Sequence, residues 1–169
     1  MRVEAWRYRG SAKNLLLAAF LAFLPLPASQ ACFAEDFRDA LSKELQPYRA
    51  DCKNAGGELS GDVDKAITRI DLDGDGRPDA IVDMTQLPCT TDYTPYCGTG
   101  GCPLLIFRSL ANGTYRRLFD GQVLSYEIEG KGKRKTIAFR LHGSFCGRKG
   151  PELCIKRVTI TGRPFAFKQ

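Results

Sequence analysis

DLDGDGRPDAIVD, at residues 71–83, contains aspartates at close and nearly regular spacing. Gly74 and Gly76 lie among them and permit the positive φ angles that a tight loop needs. Carboxylates this close repel one another by roughly 1 kcal/mol per neighbouring pair even in water. A bound divalent cation removes that repulsion. Because the loop offers oxygen ligands and neither thiolate nor imidazole, Ca²⁺ is the expected ion.

The spacing matches part of the EF-hand template. The predicted ligands, at positions 1, 3, 5, 7 and 9, are the carboxylates of Asp71, Asp73, Asp75 and Asp79 and the main-chain carbonyl of Arg77. Position 12 is Val82 instead of a bidentate glutamate. The flanking runs, Ala66–Ile70 and Ala80–Met84, are rich in β-forming residues, so they predict two strands and not two helices.

The loop therefore resembles the DxDxDGxxD loop of FG-GAP and VCBS-type repeats, which links two strands. The resemblance implies that Asp79 takes the role of the missing glutamate. The loop occurs once, so it predicts a site and not a repeat propeller. Two alternatives remain open: a hairpin turn rich in Asp and Gly that binds no metal, and a metal that acts in catalysis instead of stability.

Residues 1–34 are interpreted as a secretory signal peptide. A basic start is followed by an unbroken apolar run at Leu15–Leu24, then by prolines and small residues. The run is too short to span a bilayer, which takes about 20 residues. The mature chain is expected to be periplasmic or secreted, without a transmembrane segment. Cleavage near Ala31 or Ala34 decides whether Cys32 is removed or becomes an N-terminal cysteine available for lipidation.

The remaining cysteines are even in number: Cys52, Cys89, Cys97, Cys102, Cys146 and Cys154. In an exported chain this set predicts three disulfides and argues against a zinc site. Residues 35–169 are predicted to form a single domain of the α+β class, mostly antiparallel β, in which an N-terminal helix packs on a β-meander that includes the calcium-loop hairpin.

The helix is predicted at residues 35–46, from apolar residues spaced three and four apart, with Pro47 breaking or kinking it. Beyond the hairpin, strands are predicted at residues 104–109, 115–119, 122–128, 136–142, 154–161 and 165–167. The glycine-rich stretch between Cys97 and Cys102 is interpreted as a small disulfide-closed loop. It lacks the Lys-Ser/Thr pair that follows the glycines of a phosphate-binding loop.

Charge is divided unevenly along the chain. Residues 35–100 carry 7 Lys and Arg against 14 Asp and Glu, whereas residues 101–169 carry 14 against 4. The basic half includes a turn whose cations are a candidate partner-binding surface: Lys131, Lys133, Arg134 and Lys135. The alternative is a solvated turn whose lysines keep strand edges from aggregating.

The pattern of residues 52–169 has a wider resemblance. A cysteine followed by Gly-Gly, the aspartate loop, CGTGGCPL and LHGSFCGRKGPELC is similar to small exported bacterial proteins of unassigned function. The resemblance implies sequential disulfides that pair Cys52 with Cys89, Cys97 with Cys102 and Cys146 with Cys154. Six cysteines permit fifteen pairings, and no activity comes with the resemblance.

Two classes of function remain open. One is a non-enzymatic binding module stabilised by Ca²⁺ and disulfides, which contacts an envelope polymer or a protein partner through its basic C-terminal surface; an inhibitor or immunity-type protein is a special case. Nucleic acid is not an expected partner. The other is a Ca²⁺-dependent hydrolase. His142 and Ser144 are a conceivable pair for such an enzyme, but no nucleophile-elbow pattern surrounds Ser144.

Overall fold

Two consecutive helices open the part of the chain that is described. The computed structural model describes residues 29–168, with side chains from Phe37 onward. The apolar run of the predicted signal peptide lies outside these residues. Helix α1 spans Ser29–Glu44 and so begins before the predicted start, and α2 spans Gln46–Asn54. Pro47 lies in the first turn of α2, where its missing N–H leaves no hydrogen bond unmade.

Neither helix is long and apolar enough to cross a membrane, among the residues described. The apolar face of the pair is the one predicted from the spacing, and it is buried. Phe37, Leu41 and Leu45 are each almost fully inaccessible to solvent. The helices therefore serve as a covering layer on the sheet that follows.

The first sheet has four antiparallel strands in sequence order. They are β1 (Ile67–Ile70), β2 (Asp79–Asp83), β3 (Cys102–Ser109) and β4 (Tyr115–Val123). The predicted hairpin of β1 and β2 is confirmed, with Ile70 paired to Asp79 at its closed end. The fold class predicted from the sequence is thus confirmed, with mostly antiparallel strands and an N-terminal helix.

The second sheet has three antiparallel strands. They are β5 (Ser125–Glu129), β6 (Thr136–Leu141) and β7 (Cys154–Thr159). The strand predicted at residues 122–128 is confirmed from Ser125 onward as β5, paired with β6. Its predicted start is wrong, because residues 122 and 123 end β4 and the chain passes from one sheet to the other at Leu124. The strand predicted at residues 165–167 is also wrong. Phe165 donates a backbone hydrogen bond to Leu118, and its ring stacks on Phe119.

The elements form three layers, with the first sheet between the helices and the second sheet. One face of the first sheet packs on the helices through residues such as Val82, Leu105 and Phe107. The other face packs on the second sheet, in a cluster that includes Ile81, Ile106 and Phe119 from the first sheet and Ile137 and Phe139 from the second. Covering both faces explains why β2 and β3 are nearly continuous apolar runs.

Three disulfides connect the cysteines in the order that the resemblance implied: Cys52–Cys89, Cys97–Cys102 and Cys146–Cys154. Cys102 begins β3 and Cys154 begins β7. We call the end of the layers where these two disulfides lie the disulfide end. The opposite end holds the aspartate loop and is called the loop end.

Candidate metal centre

The aspartate loop is the turn between β1 and β2. Gly74 and Gly76 have φ angles of 81° and 86°, which confirms the geometry expected of them. Leu72, in contrast, points inward and is fully buried between the two sheets. The loop is therefore anchored to the core by one of its own side chains and is not a free surface turn.

Three of the four aspartates converge. Asp71, Asp73 and Asp79 each offer a carboxylate oxygen, and these oxygens lie within 4.8 Å of one another. Asp79 is fully buried, and Asp73 is 8% exposed. Such a group of oxygens can hold a metal ion. The prediction of an acidic cluster at this hairpin is confirmed for these three residues.

Asp79 connects the loop to the sheet. Its two carboxylate oxygens accept hydrogen bonds from the backbone N–H of Leu72, at 3.0 Å, and from that of Ser109, at 2.9 Å. The pKa of the Asp79 carboxyl is raised to about 6, chiefly by burial; the two hydrogen bonds oppose this change, and the charges of Asp73 and Asp75 add to it. An ionised Asp79 is thus destabilised unless a cation lies beside it.

Asp71 and Asp73 shape the loop through backbone hydrogen bonds. Asp71 accepts from the N–H of Gly74 at 2.7 Å and of Gly76 at 2.9 Å. Asp73 accepts from the N–H of Asp75 at 3.2 Å. Each carboxylate oxygen has a second lone pair, so these bonds leave capacity for a cation. The loop is pre-shaped around the point where the carboxylates meet.

Asp75 lies outside this group of three. Its carboxylate forms ion pairs with Arg77, at 2.5 Å, and with Arg108 on β3, at 3.1 Å. The prediction that Asp75 and the Arg77 carbonyl ligate the ion therefore stays a prediction. In the described arrangement the Asp75 charge is balanced by guanidinium groups.

Arg108 is the residue of the site that sequence reasoning missed. Its Nε lies 2.5 Å from Asp73 Oδ2, although without the alignment of a hydrogen bond. No local feature of the sequence points to it, because its position follows from strand register: Phe107 pairs with Ala80, which places Arg108 beside Asp79, the residue that begins β2. Arg108 brings a positive charge to the cluster from a strand that is distant in sequence.

The donor set fits a hard divalent cation. It consists of carboxylate oxygens alone, which suit Ca²⁺ and Mg²⁺ and not the softer transition metals. Ligands about 2.4 Å from one Ca²⁺ ion can lie up to about 4.8 Å apart, in agreement with the spread of the three carboxylates.

The predicted partner-binding turn packs against this loop. A Cβ added at Gly74 would lie 3.0 Å from the Lys133 Cβ, and the Lys135 N–H donates to the Leu72 carbonyl at 2.8 Å. Lys131, Lys133 and Arg134 are exposed. The Lys135 ammonium instead donates to the carbonyls of Gly130 and Gly132 within its own turn. Its charge is therefore engaged locally.

The His142 and Ser144 pair is a local cap. His142 Nδ1 lies 2.9 Å from Ser144 Oγ and accepts from the Ser144 N–H at 3.4 Å, at the start of the 3₁₀ turn Gly143–Cys146. The other ring nitrogen faces the backbone of Gly150. In the described part of the chain no carboxylate hydrogen-bonds this imidazole, so the orienting acid of a catalytic triad is missing there.

Comparison with protein-family models, with curated proteins and with solved structures finds no match for this chain.

Proposed function

We propose that this protein is an exported, non-enzymatic binding module whose aspartate loop binds Ca²⁺. Its three disulfides stabilise a small core, and its contact with an envelope polymer or a partner protein is made through Lys131, Lys133 and Arg134. The observation that carries the proposal is the convergence of three carboxylates, two of them buried, at a loop that the basic turn packs against.

Ca²⁺ suits this loop better than Mg²⁺. Mg²⁺ requires near-ideal octahedral geometry at 2.0–2.1 Å and keeps several waters, whereas Ca²⁺ accepts irregular shells of carboxylates and carbonyls. Asp71, Asp73 and Asp79 come from different parts of a tight hairpin, which favours an irregular shell. The absence of a glutamate at the twelfth position predicts weak binding, with a Kd of about 10⁻⁴ to 10⁻³ M, as in extracellular modules.

An extracytoplasmic location is supported by two features. Three disulfides are formed, and such bonds persist in oxidising compartments. The sequence before residue 35 has the composition of a secretory signal peptide. A weak calcium site also suits the millimolar calcium concentrations outside cells.

A non-enzymatic role is favoured over a hydrolase by the surroundings of the loop. The carboxylates are engaged by backbone N–H groups and by Arg108. A cavity of about 400 Å³ lies beside α2 and is lined by Arg49, Lys53, Gly57, Glu58 and Leu59, none of which belongs to the loop. The contacts of these carboxylates favour a structural role for the metal.

Thermal unfolding in the presence and absence of Ca²⁺ tests the proposal. With a Kd of about 10⁻⁴ M, 10 mM CaCl₂ stabilises the folded state by about 2.7 kcal/mol, which raises Tm by roughly 5–10 °C for a domain of this size. Asp71→Asn should remove most of the increase. Asp92→Asn, in an exposed loop, should retain it. An unchanged Tm of the wild-type protein at 10 mM CaCl₂ would contradict calcium binding.

Capture from an envelope extract tests the partner surface. The mature protein is expected to retain a component that the Lys131→Glu, Lys133→Glu and Arg134→Glu triple variant does not. Equal capture by both proteins would contradict the proposal that this surface contacts the partner.

A further inference from the structure

Basic residues from separate parts of the chain meet around the aspartate loop. Besides the turn, they come from β4 and from the segment that follows β7. Their side chains are exposed, and we call them the basic rim: Arg116, Lys131, Lys133, Arg134 and Arg163. Of these residues, the sequence suggested Lys131, Lys133 and Arg134, together with Lys135 of the same turn.

Contacts with the loop fix the position of the rim. Lys133 packs on Gly74, as described above. Arg163 follows Gly162, where an added Cβ would lie 2.8 Å from Asp73 Oδ2. Arg116 donates to the Gly162 carbonyl at 2.7 Å. Residues from three segments are thereby placed around the same carboxylates.

The charge of the rim is not neutralised within the fold. Arg108 and Arg77 balance part of the negative charge of the aspartates. Glu129, which borders the turn, pairs with Arg157 at 3.1 Å. Within residues 37–168, no ion pair with a carboxylate involves a rim residue. The loop end therefore presents excess positive charge to solvent.

Exposed apolar groups lie elsewhere. Among the residues described, the exposed large hydrophobic side chains are Tyr93, Leu124, Leu153 and Ile155, and none belongs to the rim or to the aspartate loop. Protein interfaces depend on buried aromatic or aliphatic anchors, single-stranded nucleic acids on aromatic stacking, and membrane surfaces on inserted apolar side chains. The rim offers long, flexible cations without any of these.

We infer that the basic rim binds an anionic polysaccharide, a chain of repeated carboxylate, sulfate or phosphate groups. Several exposed cations can contact successive anionic groups by charge alone, without a shaped pocket. The polysaccharide is preferred over nucleic acid because the protein is proposed to act outside the cell, and in that respect the inference rests on the proposed function. A bound Ca²⁺ ion would add two positive charges beside the rim and strengthen the interaction.

Binding of fluorescein-labelled dextran sulfate to the full mature chain tests the inference. The fluorescence anisotropy of the label measures this binding at about 50 mM salt. Polygalacturonate supplies carboxylates in place of sulfates, and neutral dextran is the uncharged control. The Lys131→Ala, Lys133→Ala and Arg134→Ala triple variant should bind at least about 10-fold more weakly, and Arg163→Ala about 3-fold more weakly. Lys149→Ala, an exposed cation near the disulfide end, should match the wild type.

Further readouts separate the rim from the metal. Raising salt from about 50 to 200 mM should weaken binding by roughly 50-fold, as for other polyanions that several cations contact. Any enhancement of binding by CaCl₂ should disappear when EDTA is added, and the affinity of the wild type should return to its calcium-free value. Calcium stabilisation is measured separately by melting, so the two proposals fail independently.

Three results would overturn the inference. They are no binding of any anionic polysaccharide at low salt, an equal loss for Lys149→Ala and Arg163→Ala, and tighter binding of duplex DNA or of phosphatidylglycerol vesicles than of every polysaccharide. Circular dichroism of each variant shows that a loss of binding does not come from unfolding.

Discussion

At the loop end, Arg108 lies against Asp73 and Asp75, and Asp79 is buried with a raised pKa. At the disulfide end, the chain is closed by Cys97–Cys102 and Cys146–Cys154. The first end is held by charges, which respond to pH, salt and metal ions. The second is held by covalent bonds, which respond to reduction alone. The same small core is thus stabilised by two kinds of interaction that can be removed separately.

Loss of the Cys52–Cys89 disulfide is expected to have the largest effect. This bond closes a loop with a sequence separation of 37, against 5 for Cys97–Cys102. Loop-closure entropy then gives about 4 kcal/mol for the longer loop and about 2 kcal/mol for the shorter one. Urea unfolding of the Cys52→Ser, Cys89→Ser double variant and of the Cys97→Ser, Cys102→Ser double variant measures both.

Calcium should stabilise each double variant by the same amount as the wild type, because the metal loop is at a different place in the fold. Equal destabilisation by the two double variants would contradict the loop-length argument.

The pH dependence of stability sharpens the same contrast. The Asp79 pKa is raised from 3.8 to about 6 on folding, so between these values the folded state binds more protons than the unfolded state. The contribution of Asp79 to the free energy of unfolding therefore falls by at most about 3 kcal/mol as pH rises from about 4 to about 6. Above pH 6 this contribution is constant. Urea midpoints measured in EDTA from pH 4 to pH 7 test this.

Asp79→Asn isolates this group from the other carboxylates. The amide leaves one of the N–H groups of Leu72 and Ser109 without its acceptor, a loss that does not depend on pH. The difference in unfolding free energy between wild type and variant should therefore shift in favour of the variant as pH rises. A difference that stays constant across this range would contradict the raised pKa. CaCl₂ should reduce the decline of the wild type, because the ion stabilises the ionised carboxylate.

Arg108→Ala is expected to destabilise the metal-free protein by about 2–3 kcal/mol, because it leaves Asp73 without its cationic neighbour in a largely buried position. In 10 mM CaCl₂ the loss should shrink, since the ion replaces the missing positive charge. Denaturant titrations with EDTA and with CaCl₂ give the comparison. Arg140→Ala, which removes an exposed ion pair with Glu127, should change stability by less than about 1 kcal/mol in both conditions.

The hairpin could be predicted from the sequence because its signals are local. Aspartate spacing, the two glycines and the β-rich flanks all lie within residues 66–84. The contribution of Arg108 could not, because it depends on the register of β3 against β2. The position of Lys133 on Gly74 likewise depends on how the two sheets pack. The local sequence pattern thus predicts where the carboxylates lie, whereas tertiary packing determines which cations lie beside them.

The errors at the C-terminal half have physical reasons as well. Alternating Phe165 and Phe167 fit a strand period, yet both rings pack into the aromatic cluster around Phe119 and Phe139 without forming a strand. Pro164 has no N–H to give to a strand partner. At Leu124 the apolar pattern continues from one sheet into the next, so periodicity alone shows no break there.

The smallest expected effect concerns Lys135, for which the sequence and the structure suggest different roles. If Lys135 binds a partner, as the sequence predicts, its substitution should weaken the capture of anionic ligands. In the structure, however, its ammonium donates to the carbonyls of Gly130 and Gly132, which indicates a role in stabilising the turn. Lys135→Met keeps the aliphatic stem and removes these hydrogen bonds, so it should destabilise the protein by about 0.5–1 kcal/mol and change dextran sulfate affinity less than Lys133→Met does. Urea unfolding and anisotropy of the two matched variants measure both quantities. A larger loss of affinity for Lys135→Met than for Lys133→Met would show that its charge reaches the ligand, and would extend the basic rim to a residue now assigned to the turn.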